Sequence, residues 1–498
     1  MQYIVTKKEM QEIDGYTIDR IGIPAAVLME RAALQVAELV EELNTGNGRI
    51  LIAVEGGNNG GDGLAAARIL LERGYDVDIY YIADIPKTST EFWLQRNILH
   101  QMGVQIHKLI PNKLIPDKNY SVIVDGIFGI GLSRPIEGVQ RKVIELLNRM
   151  DAVRIAIDIP SGIDATTGEI LGIAFQADYT VTFSLHKLGM FFSDGIDYCG
   201  KIVCKDAGFP QVAIGEIAPK IRAYDLSDLR LPKRYAGSNK GTYGRVAVIA
   251  GSKNMSGAAY LCGKAAYSTG AGLVKIYTHE SNRVILQSQL PEAVMKTYDD
   301  YEGALSCIED AMHWATVIVV GPGLGVDTTS ERMLYELLMN AEVPLVVDAD
   351  ALNILSDNRE LLQNAAMPMV ITPHMKEMSR LIRKTVPEVV EDRLEIAVQF
   401  AKTMDVTLVL KDARSIVTDG NGEIYINLCG NNGMSTGGAG DVLSGIIAGM
   451  IAGGLPLLEA AKMGTYVHGL AGDRAQEEKG EYAMLASDII SCIGEVMR

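Results

Sequence analysis

The sequence predicts an α/β protein built from two unlike domains, each a parallel sheet with helices on both faces. Three observations carry this. The chain has 498 residues, and a single core stops growing at roughly 250–300. Short apolar runs alternate with helical patterns through both halves, as in covered parallel sheets. Between the halves, residues 205–240 show little periodicity. They contain Pro210, Pro219 and Pro232 and lead into the Gly-rich GSNKGTYG. The boundary is placed near residue 220, giving domains 1–220 and 221–498.

In the first half, residues 6–21 and 25–43 have helical spacing. Arg49–Val54 is an apolar run. It ends in Gly56-Gly57-Asn58-Asn59-Gly60-Gly61-Asp62-Gly63 and is followed by the helical LAAARILLERG. Residues 76–83 read as the next strand. Residues 121–125 and 154–158 are further strands, each ending in Asp. In the second half, residues 245–250, 317–320, 345–347, 370–371 and 407–410 read as buried strands separated by helices. No sequence repeat relates the halves.

Hydrophobic residues make up 48% and charged ones 22%, which excludes bulk disorder and collagen. Lys+Arg is 46 and Asp+Glu 62, a net −16, so no general nucleic-acid or anionic-membrane partner is expected. Cys199, Cys204, Cys262, Cys307, Cys429 and Cys492 form no C-x-x-C pair. They read as reduced thiols, not a disulfide frame or zinc site. The N-terminus lacks a signal layout. The uncharged stretch 442–458 is shorter than the ~20 residues a bilayer needs. A cytoplasmic protein is expected.

Three loops leave three strands at the carboxyl edge, where open α/β sheets bind ligands. The first is GNNGGDG, residues 57–63. Its glycines permit close backbone approach and positive φ, and the following helix start favours anions. It is neither G-x-G-x-x-G nor a P-loop. A turn that only reverses the chain is the alternative. The second loop, 124–135, carries Asp125, Gly129, Gly131 and Arg134. The third, 157–168, carries Asp158 and Ser161. Asn59, Asp125 and the Ser161 carbonyl could offer oxygens to a hard cation. With so few formal charges a monovalent ion such as potassium fits best; an ordinary hydrogen-bond network is the alternative.

These loops closely resemble the NAD(P)H-hydrate epimerase family, the YjeF N-terminal domain, over nearly all of residues 1–213. The resemblance implies a Rossmann-like three-layer fold. It implies that Asn58, Asn59, Gly60, Gly61 and Asp62 contact the nicotinamide hydrate, as do Gly129, Ile130, Gly131, Leu132, Ser133, Arg134 and Pro135. Asp158 would meet the hydrated ring as acid or base for epimerisation at C6. Asn59, Asp125 and Ser161 would hold potassium.

In the second half, residues 431–454 read NNGMSTGGAGDVLSGIIAGMIAGG. Gly437, Gly438 and Gly440 precede Asp441 and a small-residue helix, and amides at a helix start form an anion hole. Close helix packing is the alternative use of the same residues. The element resembles the ribokinase-like superfamily. GSKNMSGAAYL, VGPGLG, VVDADALN, TPHMKEM, LVLKDARSIVTDG and GGAGD together resemble the NAD(P)H-hydrate dehydratase, or YjeF C-terminal, domain over residues 225–498. This implies a hydrate site of Ala258, Gly323, His374 and Asp441, with Asp441 as catalytic base. It implies an adenine-nucleotide site of Lys411, Asp412, Ala413, Arg414, Ser415 and Gly440. Asp348 and Asp350 read either as metal ligands or, preferably, as a turn and helix cap.

The combined expectation is a repair enzyme for NADH hydrate and NADPH hydrate. ADP with magnesium serves the dehydratase, and potassium the epimerase. The assembly would be a homo-oligomer, tetramer or octamer. A small-molecule kinase carrying a non-catalytic N-terminal binding module is the other reading.

Overall fold

The computed structural model describes residues 1–45, 48–82, 88–109 and 119–498. It divides into two compact units, Gln2–Lys220 and Ile221–Arg498.

In the first unit all strands of the main sheet run parallel. Their order is Ile106–Leu109, Val77–Ile82, Arg49–Val54, Tyr120–Gly126, Val153–Ile157, Tyr179–Phe183 and Lys201–Lys205. The strand predicted over 76–83 is Val77–Ile82; Ala83 lies outside the described residues. Alternation along the strands builds three layers. Ile50, Ile52 and Val54 pack with helices Ala25–Leu43 and Asn58–Glu72. Leu51, Ala53 and Ile123 pack on the other face with helix Gly138–Leu147. Strand order reverses between Arg49–Val54 and Tyr120–Gly126, so a crevice opens beyond their carboxyl ends. A short parallel ladder joins Gln2–Val5 to His186–Lys187.

Two expectations change here. The helix predicted over 6–21 is α-helical only from Lys7 to Gly15. Thr6 and Glu9 cap it reciprocally, and it continues as a π-helix over Tyr16–Ile21, stopped by Gly22 at φ +85°. The glycine run is also not a loop preceding a helix. The helix starts at Asn58, and no glycine from 56 to 63 has positive φ. These glycines serve close approach instead. A Cβ on Gly60 would lie 1.6 Å from the Glu55 carbonyl oxygen, and one on Gly61 2.5 Å from Met29. One on Gly63 would meet Val54 at 2.8 Å. The helix therefore starts pressed against the strand that leads into it.

The sheet of the second unit runs Val294–Tyr298, Leu273–His279, Arg245–Ile249, Val317–Val320, Leu345–Val347, Met369–Ile371, Thr407–Leu410, Ile416–Thr418, Ile424–Ile426 and Ile221–Ala223. It is parallel through Thr407–Leu410. Two antiparallel pairings then follow, and Ile221–Ala223 pairs parallel to Ile424–Ile426. The order reverses between Arg245–Ile249 and Val317–Val320. Val246, Val248, Val317 and Val319 pack with helices Ser256–Ser268, Ala439–Ala452, Leu457–Lys479 and Ala486–Val496. Ala247, Ile249, Ile318 and Val320, on the other face, are equally buried. A Cβ on Gly445 would meet the Cys262 carbonyl oxygen at 2.2 Å, and one on Gly449 the Thr269 hydroxyl at 2.0 Å. Small residues thus let Ala439–Ala452 lie flush on Ser256–Ser268. All six cysteines are free thiols. No helix among the described residues is long and apolar enough to cross a membrane.

Gly60→Ala should destabilise the protein by about 2–3 kcal/mol, because the backbone oxygen it strikes cannot step aside. Gly57→Ala, where a Cβ meets nothing within 4 Å, should cost about 1 kcal/mol or less. Thermal melts of the two variants check the contrast.

Two candidate active sites at the carboxyl edges

In the first unit a cavity of about 770 Å³ sits over the switch point. Of the predicted residues, Asn58, Asn59, Asp62, Gly129, Ile130, Gly131, Leu132, Ser133, Arg134 and Asp158 line it. Gly60, Gly61 and Pro135 do not, and the two glycines are turned toward the Glu55 carbonyl and Met29. Asp125 and Ser161 lie fully buried. The Ser161 backbone N–H donates to Asp125 Oδ2 at 2.8 Å, its hydroxyl to Oδ1 at 2.7 Å, and the Ile127 N–H to Oδ1 at 3.1 Å. Burial nevertheless pushes the Asp125 carboxyl up to about 6. Among the described residues it makes no ion pair. Asn59 Nδ2 is buried without a hydrogen-bond partner, and a Cβ on Gly129 would approach Asn59 Oδ1 to 3.1 Å. A buried carboxylate lacking a counter-charge, with amide and carbonyl oxygens nearby, is a donor set that fits a weakly charged cation. No group of three His, Cys, Asp or Glu among the described residues could hold a metal.

Asp158 follows strand Val153–Ile157 in the left-handed region, at φ +64°, where a non-glycine residue is strained. Its N–H donates to the Val181 carbonyl at 2.7 Å. Its carboxylate pairs with Lys187, whose side chain is 1% exposed. Glu55, beside Asn58 at the cavity wall, is pushed up to about 7 by burial, against the opposing effects of Gln140 and Arg134.

In the second unit Asp441 stands in the first turn of helix Ala439–Ala452, entered through Gly438 at φ +94°. First-turn amides have no partner inside a helix and point at the same space. Burial, then the charges of Asp348 and Asp350, push Asp441 up to about 7, with Lys411 opposing. Lys411 donates to Asp348 Oδ1 at 2.7 Å, and a Cβ on Gly440 would lie 3.2 Å from its ammonium. Burial works against the Lys411 charge, but Asp348 and Glu377 outweigh it and raise its pKa. The Lys411 N–H donates to the Pro373 carbonyl at 2.8 Å, and the two segments form a bridge at His374. His374 caps helix Met375–Ile382: its Nδ1 accepts from the Lys376 and Glu377 N–H groups, both at 3.1 Å. Gly323 has φ +56°, and a Cβ there would touch Ala258 at 3.0 Å.

One expectation is corrected, that of a helix cap. Asp348 does form a turn, its carbonyl accepting from the Ala351 N–H at 3.2 Å and its Oδ1 from the Ala349 N–H at 2.8 Å. The residue before helix Asp350–Asp357 is Ala349, at φ +52°, and no side chain caps it. Asp348 is 1% exposed and also accepts from the Ser444 hydroxyl at 2.6 Å, so it anchors Lys411. Asp350 accepts from the Gly325 N–H at 2.9 Å, bracing the neighbouring loop. Within residues 411–415 several side chains are spent on the turn itself. Asp412 pairs with Arg393 at 3.0 Å, and Arg414 donates to the Leu428 carbonyl at 2.9 Å. The Ser415 hydroxyl donates to the Asp412 carbonyl at 3.2 Å.

Residues 246–495 match the family described as NAD(P)H-hydrate dehydratase, and residues 25–189 the one described as YjeF-related protein N-terminus. The bifunctional NAD(P)H-hydrate repair enzyme of Moorella thermoacetica is 38% identical, covering 100% of this chain and 97% of its own length. This chain belongs to the bifunctional NAD(P)H-hydrate repair enzyme family. The family member from Escherichia coli K12 is 32% identical over 96% of this chain and 91% of its own. A ribokinase-like superfamily protein from Enterococcus faecalis V583 superposes with a TM-score of 0.51 at 30% identity, covering 56% of this chain and 95% of that one. The second unit thus has the ribokinase-like fold, and the first a Rossmann-like parallel sheet.

The family motifs leave out several groups that the structure brings into the two sites. In the first unit these are Lys187, Asp14 and Glu55. In the second it is Ser444; Glu377, inside the TPHMKEM motif but given no role there, is pushed up to about 7 by burial. One signal was available: Lys187 is a lone lysine inside the apolar run TVTFSLHKLGMFF.

Asp348→Asn leaves the Lys411 ammonium without its counter-charge. It should cost about 3–5 kcal/mol, against about 1–2 kcal/mol for Ser444→Ala. Melting temperatures of the two variants give the ranking.

Proposed function

We propose that the chain repairs hydrated nicotinamide nucleotides in two steps. The first unit interconverts the R and S hydrates of NADH and NADPH. The second dehydrates the S form at the expense of ADP, giving AMP and phosphate. One observation carries this reading: a single chain holds both motif sets in folded sites and aligns end to end with bifunctional repair enzymes.

In the second unit, hydroxide leaves a ring poorly, whereas phosphate leaves well. Asp441 takes the proton of the ring hydroxyl as its oxygen attacks the terminal phosphorus of ADP. The bond to the bridging oxygen breaks and AMP departs. The amides at Gly440 and Asp441 face the charge that builds on the phosphoryl oxygens, and Lys411, aimed by Asp348, adds a cation. Loss of phosphate from C6 and of a proton from C5 restores the dihydropyridine. Asp441 can serve as base near neutrality because burial and two neighbouring acids hold its proton to about pH 7. Magnesium would arrive with the nucleotide phosphates. His374, Ala258 and Gly323 would shape the hydrate pocket.

In the first unit, Asp158 is the acid or base at the hydrated ring. The amide-rich walls at Asn58–Asn59 and at 129–134 would seat the pyrophosphate, which a net acidic surface cannot attract by its overall field. Potassium, held by Asn59, Asp125 and the Ser161 carbonyl, would supply the positive charge that Asp125 lacks. A cytoplasmic homo-oligomer, tetramer or octamer, completes the reading.

Incubating the full-length protein with hydrated NADH and ADP should restore the absorbance of reduced nicotinamide; no recovery with either ADP or ATP sinks the proposal. Asp441→Asn should lower dehydration kcat by about 10²–10⁴. Asp441 must be ionised to accept a proton, so kcat should rise with pH toward about 7 and level above it. A flat pH profile would remove Asp441 as the base. Potassium chloride should raise the melting temperature more than choline chloride does, and Asp125→Asn should abolish that difference.

A further inference from the structure

We propose that Lys187 is a positioning residue for the epimerisation, and that Asp62 is the proton-bearing partner of Asp158. The proposal rests on the epimerase reading of the first unit.

The geometry is a closed triangle at the floor of the cavity. The Lys187 ammonium contacts Asp158 Oδ1 and donates to the Thr182 hydroxyl at 2.9 Å. That hydroxyl donates to the same Asp158 oxygen at 3.2 Å. The triangle ties Asp158 Oδ1 to two neighbours and leaves Oδ2 outside it. Such an arrangement fixes the direction of a carboxylate that already sits at a strained backbone angle. Lys187 reaches it from the short ladder with Gln2–Val5, far along the chain from Asp158. An ammonium so buried is retained only where it has a partner.

Asp62 and Asp14 line the same cavity, from helices Asn58–Glu72 and Lys7–Gly15. Neither makes an ion pair among the described residues. Three carboxyls thus face one lysine. Glu91 and Asp19 lie beyond Asp14, and His186 and Cys204 flank Lys187. Carboxyls sharing a single cation cannot all ionise, and their proton affinities are driven apart. Lys187 makes its contact with Asp158. Burial, then Asp158 and Asp14, push Asp62 well above the ordinary carboxylate range, with only Lys187 opposing. Burial and Asp158 raise Asp14 as well, but Asp62 is driven well above its ordinary range, so the proton is placed on Asp62.

That division suits a reaction that removes a hydroxyl from one face of C6 and returns it to the other. Asp62 gives its proton to the departing hydroxyl. The C6–O bond breaks with its electron pair going to oxygen, water forms, and the N1 lone pair closes a C6=N1 double bond. Water then adds to the opposite face, the C6=N1 pair returns to nitrogen, and the Asp158 carboxylate takes the surplus proton. Transfer of that proton back to Asp62, favoured by the Lys187 charge beside Asp158, resets the site.

The test follows interconversion of R and S hydrates of NADH by chromatography, above the spontaneous rate, using the full-length chain. Lys187→Met should lower kcat about 100-fold with KM little changed. It should also move the alkaline limb of the pH profile upward, because Asp62 loses the one charge that favours its ionised form. Asp62→Asn should lose turnover comparably and lose that limb. Wild-type kcat with an unmoved limb in Lys187→Met, or full turnover in Asp62→Asn, overturns the proposal. If Lys187→Met fails to fold, Lys187→Arg, which keeps the charge, should leave the alkaline limb in place while Asp62→Asn loses it; a limb displaced in Lys187→Arg overturns the proposal. The ADP-dependent dehydration of the S hydrate should stay unchanged in each variant. Failure of the wild-type chain to interconvert the hydrates would instead remove the epimerase reading itself.

Discussion

A parallel strand covered by helices on both faces can present chemistry only at its ends, and this constraint governs both units. Arg49–Val54, Tyr120–Gly126 and Val153–Ile157 are mainly apolar and change character where the sheet stops. Arg245–Ile249, Val317–Val320 and Leu345–Val347 do the same in the second unit. Because the strands point one way, their polar ends collect at one edge, and the reversal of strand order opens a crevice there. Everything else in the two sites hangs on how closely helices can approach that edge. Gly60, Gly61 and Gly63 in one unit, and Gly445 and Gly449 in the other, have backbone or packed side chains where a Cβ would be.

The second organising theme is charge. A chain of net −16 that handles anionic nucleotides must create its attraction locally. It does so with helix-start amides and with a few cations held by buried acids. Lys187 is held by Asp158 and Lys411 by Asp348, in each case with a hydroxyl, Thr182 or Ser444, completing the contact. In both sites more carboxyls than cations converge. Burial first, and then that imbalance, raises the proton affinity of Asp62 and Asp441. It is the electrostatic condition acid–base chemistry needs at physiological pH.

Much of the fold could be read directly because its signals are local. Runs such as Arg49–Val54 and Thr407–Leu410 announce buried strands by composition alone. Asn58, Asp125 and Asp158 stand out because polar residues follow apolar runs abruptly, and Asp441 because a glycine cluster precedes it. Other features were misjudged where the deciding neighbour is distant in sequence. Gly60, Gly61 and Gly63 read as a ligand-approaching loop until the Glu55 carbonyl, Met29 and Val54 are placed beside them. Asp348 reads as a turn residue alone until Lys411 and Ser444 arrive from far along the chain.

The sequence alone determined the two-part α/β plan, the boundary region, the polar strand ends and the family motifs, since each is written in periodicity, composition or short contiguous spacing. Only the tertiary structure decided which acid holds which lysine, which predicted side chains face the cavity, and where the 498 residues place their excess carboxyls. Those matters depend on distances between segments that fold together from remote positions, and on burial, which no stretch of sequence carries by itself.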